Sequence, residues 1–295
     1  MRSWFVIPAM GVVCGGAAVA LGLSPVVALT GAALAAVVRV LAGDSPAALT
    51  GAVVAPILAV ASFAEAGGEL GRAAIALAAA GWTVAELARP TGTTSDEAGA
   101  TSPLVAVLPA VLASILDPSF VALIAIAGAR LLTTPWPRPR WVLAVPVAGA
   151  LAIVLAVLAG TTWPALGARW FGGAAHPVSV AALAGLAGAT LGPLTAVAAL
   201  AGLAALVRTR YAELALAAAF AGTILVDLRA GAFGPTSIGL AALLSGLAIG
   251  RLAAMIRIPS GQAIAGATIG VLVVVPPAWT AVARSSAAHT GQASR

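Results

Sequence analysis

Residues 112–132 read "LASILDPSFVALIAIAGARLL", and they sit inside an apolar run of about 32 residues from Ser102 to Thr133. Asp117 and Pro118 fall near its middle. A helix rises 1.5 Å per residue, so the run divides into two halves, each short for a hydrocarbon core of ~30 Å. The fold turns on whether this stretch is one kinked helix or two helices meeting at Asp117. The arginines that follow decide it, once the rest of the chain has been laid out.

Hydrophobic residues make up 61% of the 295 and charged residues 8%, with a mean hydropathy of +1.09. A soluble domain needs roughly 25% charged residues to cover its surface. This composition predicts an all-α, polytopic transmembrane helical bundle. Residues 1–283 form a single membrane domain, with a short polar tail at 284–295. All fifteen basic residues are arginine, and lysine and asparagine are absent. Both missing residues have AT-rich codons, which suggests a GC-rich bacterial genome and a place in the bacterial plasma membrane.

The net charge of +6 is carried by arginines scattered singly, whereas a nucleic-acid footprint needs a clustered basic face. No nucleic-acid partner is expected. Cys14 is the sole cysteine, which excludes an intrachain disulfide. The N-terminal "MRSWFVIPAMGVVCGGAAVALGL" has features of a signal peptide, but its apolar stretch is long and leads directly into more membrane sequence. It reads as the first transmembrane helix.

Apolar segments fall at about 4–23, 25–42, 47–64, 72–88, 103–116, 118–132, 141–160, 177–207, 211–226, 235–254 and 260–279. Several are shorter than the ~20 residues of a typical span. A proline opens and an arginine closes four of them: Pro25 to Arg39, Pro118 to Arg130, Pro193 to Arg208, and Pro235 to Arg251. Arg89 closes the fourth segment in the same sense. Proline suits the first turn of a helix, and arginine suits the last, at the negative end of the dipole. These arginines are read as interface and topology anchors. With Lys and Arg enriched on the cytoplasmic side, the N-terminus is inside, there are about 11 spans (10 to 12), and the C-terminus is outside.

One helix across 102–133 would carry Arg130, Arg138 and Arg140 to the wrong side. The run must turn back at Asp117, as a hairpin or a re-entrant loop. The similar break at Gly192–Pro193 must keep its direction to bring Arg208 inside, so 177–207 reads as one long helix kinked or unwound in the membrane. No internal repeat accompanies the recurring helix ends.

Histidines and cysteines are too few for a metal or hydrolase site, so neither a metal nor a cofactor is expected. Ser245 reads as a small packing residue. Glu86 with Arg89, and Arg210 with Glu213, have the three-residue spacing of helical ion pairs. Glu65, Glu69 and Arg72 read as a solvated turn, and Asp44 as turn chemistry. Asp117 before Pro118 is a good helix cap; Asp227 lies at the outer end of its segment near Arg229. A carboxylate deep in a bilayer is otherwise costly and tied to a pathway. The candidate binding residues are therefore Asp117, Pro118, Gly192, Pro193 and Asp227, because discontinuous helices expose backbone groups that form solute sites.

The expected function is a transporter or permease component for a small solute or lipid. The alternative is a non-catalytic membrane subunit of a larger complex, such as a secretion or energy-converting assembly, joined through Gly/Ala-rich helix faces. A membrane enzyme acting on lipid-linked substrates comes third, since no catalytic cluster is apparent. Lipid is the expected surrounding in every case.

Overall fold

A computed structural model describes residues 5–63, 70–88, 104–133, 191–206, 211–231 and 233–293, with isolated positions between 148 and 187. The described residues form ten α-helices and one 3₁₀ turn, with no strand among them. In chain order the helices are α1 (Val6–Ala20), α2 (Val27–Ala42), α3 (Pro46–Phe63), α4 (Leu70–Ala88) and α5 (Leu104–Leu116). The 3₁₀ turn Pro118–Phe120 leads into α6 (Val121–Thr133). Then come α7 (Pro193–Ala205), α8 (Tyr211–Ala230), α9 (Pro235–Ala254) and α10 (Pro259–Ala293).

Local chemistry accounts for the ends. Between α2 and α3, Gly43 takes φ +87°, a left-handed conformation that only glycine adopts without strain, and its N–H donates to Arg39 O. Ser45 Oγ then accepts the Ala48 N–H at 3.1 Å, capping the helix that Pro46 opens. Asp44 pairs with the buried Arg39 across the same turn, so all four residues Gly43–Pro46 serve to stop one helix and start the next.

Small residues set which helices touch. On α9, Gly246 and Gly250 stand four apart and lie against Gly51 and Ala47 of α3. A Cβ at Gly246 would come within 2.6 Å of Ala55 Cβ and 2.7 Å of Gly51 O, so the two backbones are in direct contact. A second four-residue pair, Gly266 and Gly270 of α10, lies on Thr50 and Val54 of α3. Helix α3 is thus held between α9 and α10. Helix α9 is the centre of the bundle: 83% of its most apolar 18 residues are buried, against only 17% of those of α10.

The same contacts fix directions. Gly11 and Gly15 of α1 face Ala32 and Ala28 of α2, so those two run oppositely. Thr30 Oγ1 donates to Ala74 O at 2.9 Å, and Gly81 faces Val37, so α2 and α4 run together. Ser119 meets Gly222 while Thr133 Oγ1 lies 2.9 Å from Tyr211 Oη, so α6 and α8 are opposed. Helices α2, α4, α6, α7 and α9 all point their C-termini to one end of the bundle, the arginine end, where Arg39, Arg130 and Arg251 gather. The shared direction read from the proline-to-arginine segments is the direction found for these helices. Arg89 and Arg208 lie outside the described residues.

Among the described residues, five helices are long and apolar enough to cross a membrane: α3, α4, α8 through Leu228, α9, and α10 through Ala283. The other five are apolar but shorter. Two boundaries differ from the sequence reading. Helix α8 runs on past 226 to Ala230, which puts Asp227 inside its last turns. Helix α10 continues through 284–293, where a tail was expected; extending a formed helix carries no nucleation penalty.

Candidate functional site

Asp117 occupies the turn-back between α5 and α6. Its backbone is extended (φ −143°, ψ 110°), and its side chain accepts the Ser119 N–H at 3.0 Å. Its own N–H still donates to Ala113 O at 2.8 Å, closing α5. One residue therefore ends one helix and caps the next, with Pro118 at the first helical position. Arg72, in the first turn of α4, donates its Nε–H to Leu116 O at 2.7 Å, satisfying a terminal carbonyl that α5 itself leaves open. Phe120 is fully buried beneath the turn.

The turn is seated on α8 where that helix has no side chain: a Cβ at Gly222 would lie 2.7 Å from Ser119 O. Helix α8 continues eight residues beyond this point, about 12 Å at the helical rise. The Asp117 turn is thus inset from the end of its neighbour. Asp117→Ala should cost about 1 kcal/mol in thermal or denaturant unfolding, and Asp117→Asn, which keeps the acceptor, clearly less. Equal losses in the two variants would show that the cap is not what Asp117 contributes.

Asp227 sits at the same end, 9% exposed, on the last turns of α8. Its Oδ2 accepts the Gly234 N–H at 2.7 Å. Gly234 is the N-cap of α9 and offers no side chain of its own, so Asp227 closes the α8–α9 turn from the preceding helix. The side chain of Arg229, its expected neighbour, lies outside the described residues.

At Gly192–Pro193 the break is complete. Gly192 takes φ +78° and ψ 155° and is the N-cap of α7, with Pro193 at the first position. A new helix begins here; the part of 177–207 before Leu191 lies largely outside the described residues. Helix α7 packs on α9 and α10, whereas the Asp117 turn packs on α5, α6 and α8. The structure brings Asp117 and Asp227 to one end and seats the Gly192–Pro193 break on a different set of neighbours.

The arginine end holds a second polar group that the sequence paired differently. Glu213 Oε1 accepts from Arg251 Nη2 at 2.8 Å, and Arg251 Nη1 also donates to Ala205 O. One guanidinium thus ties α7, α8 and α9 together. Glu213 was expected to pair with Arg210, which lies outside the described residues; the partner found is 38 residues away in sequence. Glu213 is 3% exposed, and its Oε2 has no hydrogen-bond partner among the described residues. Nearby, the Arg130 guanidinium lies over the Tyr211 ring, 5.6 Å from its centroid. Glu86, paired with Arg89 in the sequence reading, accepts from Trp82 Nε1 at 3.1 Å; Arg89 itself lies outside the described residues.

Ser245 is fully buried, and its Oγ lies 2.8 Å from Ala241 O and 3.2 Å from Thr195 O. It links α9 to α7, in keeping with a packing residue. No group of three or more His, Cys, Asp or Glu side chains that could hold a metal occurs among the described residues. Cys14 is buried in α1.

No family model matches this sequence, and neither a curated protein nor a solved structure matches it. The functional reading rests on this chain's own residues. Asp227 as a turn clasp and Glu213 as a buried ion-pair partner were hidden from sequence reasoning because each contact joins different helices. Four-residue glycine spacing at Gly246–Gly250 was a usable signal for the central crossing.

Proposed function

We propose that this chain is a polytopic protein of the bacterial plasma membrane that acts as a transporter or permease component for a small solute or lipid. The observation that carries the reading is the pair of interrupted helices: the α5–α6 hairpin inset at Asp117, and the helix start at Gly192–Pro193 within an apolar bundle. Breaks of this kind bring backbone donors and acceptors into hydrocarbon surroundings, where they are tolerated when they line a cavity or are buried in protein. Gathering of Arg39, Arg130 and Arg251 at one end supports placing that end in the cytoplasm. The N-terminus then lies inside and, at eleven spans, the C-terminus outside.

Asp117, Asp227 and Glu213 each accept a local hydrogen bond or ion pair. That favours passage of a weakly polar or lipid-like solute over an ion-driven pump. In proteoliposomes, Asp117→Asn and Gly192→Leu should each reduce solute flux at least tenfold while the protein stays folded and monodisperse. Full flux in both variants would end the transport reading.

The thin burial of α10 favours a second reading, a membrane subunit whose partner covers that helix. Native mass in mild detergent separates the two. Stoichiometric partner proteins support the subunit, and a lone monodisperse chain supports the transporter.

A further inference from the structure

We propose that the face built from α4, α5, α6 and α8 thins the bilayer it touches. Its partner is a layer of phospholipid with a hydrocarbon core of about 21 Å, in place of the usual ~30 Å. The proposal rests on the membrane placement of the bundle and needs no transported solute.

Charged residues on this face repeat one separation. On α4, Arg72 and Glu86 are fourteen residues apart, about 21 Å at the helical rise. Asp117 and Arg130, at the two ends of the α6 segment, are thirteen apart, about 20 Å. Glu213 and Asp227 on α8 are again fourteen apart, about 21 Å. Glu86, Arg130 and Glu213 stand at the arginine end, and Arg72, Asp117 and Asp227 at the opposite end. The four helices pack on one another, so the short separations belong to one side of the bundle.

The α4 pair is turned away from the core. Arg72, Ile75, Trp82 and Glu86 follow at three-, seven- and four-residue steps and so share one side of the helix. Arg72, Ile75 and Trp82 are exposed. Long charged side chains can snorkel outward to disguise a short span, but both ends are held here. Arg72 Nε donates to Leu116 O at 2.7 Å, beside the turn-back. Glu86 Oε1 accepts from Trp82 Nε1 at 3.1 Å, one turn nearer the middle of the helix. A guanidinium kept in hydrocarbon is costly, so headgroups and water must come down to it. Between the charged ends the surface is apolar: Val121, Ala125, Ala129 and Leu132 form an exposed stripe on α6, and Leu108 and Leu112 one on α5.

Helix α10 fits a different thickness. Its 25 residues from Pro259 to Ala283 include no charged side chain, a length of about 37 Å. It packs on α3, α9 and α7, and Ile264, Val271, Val275 and Trp279 on it are exposed. Tilt takes up the excess length in an ordinary core. A short side and a long side on one bundle impose a slope on the surrounding lipid. The two layers of headgroups come closest beside α4 and α6.

The test uses the full chain, carrying Cys14→Ala, in liposomes of a phosphatidylcholine with eighteen-carbon chains. Single cysteines bearing nitroxides replace Val121, Ala125, Ala129 and Leu132 of α6, and Ile264, Thr268, Val271 and Val275 of α10. Collision with oxygen and with a water-soluble nickel chelate reads the depth of each label. The deepest α6 label should lie about 10 Å below the headgroups and the deepest α10 label about 15 Å, half of each thickness. Arg72→Leu should sink the Val121 label further as the headgroups withdraw, and an unmoved label would overturn the part given to Arg72. Equal greatest depths on the two helices overturn the thinning. So do α6 labels shut off from both reagents, since protein then covers the face. Labels that all meet the nickel chelate, with no gradient of depth, would retire the membrane placement together with the thinning.

Discussion

Arg251→Ala should destabilise the bundle by about 3 kcal/mol, the low end of the range for removing one partner of a buried ion pair. The loss comes mainly from what is left behind. Glu213 is 3% exposed, and its Oε1 depends on Arg251 while Oε2 has no partner among the described residues. Without the guanidinium, a buried carboxylate stands with neither oxygen paired among the described residues, and α7 loses its tie at Ala205 O. The low end is appropriate because the Arg251 side chain is itself 24% exposed. Adding Glu213→Gln to Arg251→Ala should restore more than half of the loss, since the stranded charge is gone. Denaturant unfolding in mild detergent measures both variants and, with Glu213→Gln alone, closes a double-mutant cycle. A double variant no more stable than Arg251→Ala would mean the pair is not the clasp described.

Gly51→Val should be at least as damaging, about 3 kcal/mol or outright loss of folded protein. A Cβ at Gly51 lands on the Gly246 carbonyl oxygen of α9, a backbone atom that cannot swing aside. Overpacking of a tight core costs 1–3 kcal/mol where side chains can adjust, and here two helix axes would have to separate. Gly16→Ala is the control: a Cβ there meets nothing within 4 Å in the same kind of apolar helix. Alanine's better helix propensity should leave it neutral or more stable by up to ~1 kcal/mol. Recovery of folded protein after detergent extraction, with unfolding of what is recovered, reads out both. A Gly51→Val protein as stable as Gly16→Ala would remove the α3–α9 crossing from the centre of the fold.

The helix ends were legible in the sequence because capping is short-range chemistry. Pro118, Pro193 and Pro235 open helical elements at their first position. Asp117 is both a turn-back and a cap, as "LDPSF" suggested. The common direction of the arginine-closed helices also followed, since a proline start and an arginine finish give a helix a polarity. Pairing between helices was not legible. Glu213 has its nearest arginine in sequence at Arg210, yet the rest of α8, a loop and more than four turns of α9 bring Arg251 to it. Asp227 looked like a membrane carboxylate because the glycine it holds, Gly234, has no side chain to announce the contact. Hydropathy falls after about residue 279 and suggests a polar tail from 284, but polarity does not terminate a helix that is already running, and α10 continues to Ala293.

The glycine crossing between α3 and α9 also sets a timetable for biosynthesis. About 195 residues separate Gly51 from Gly246. At 5–20 residues per second, α3 is made roughly 10–40 s before the helix it fits against. Through that interval its smallest face, Ala47–Gly51–Ala55, has no counterpart, and at least the five helices α4 to α8 are made before its match arrives. The central joint of this protein is thus among the last to form. A ribosome stalled before residue 235 should hold a set of inserted helices without a centre, and crosslinking Gly51→Cys to lipid or to an insertion factor would report on what occupies that face until α9 replaces it.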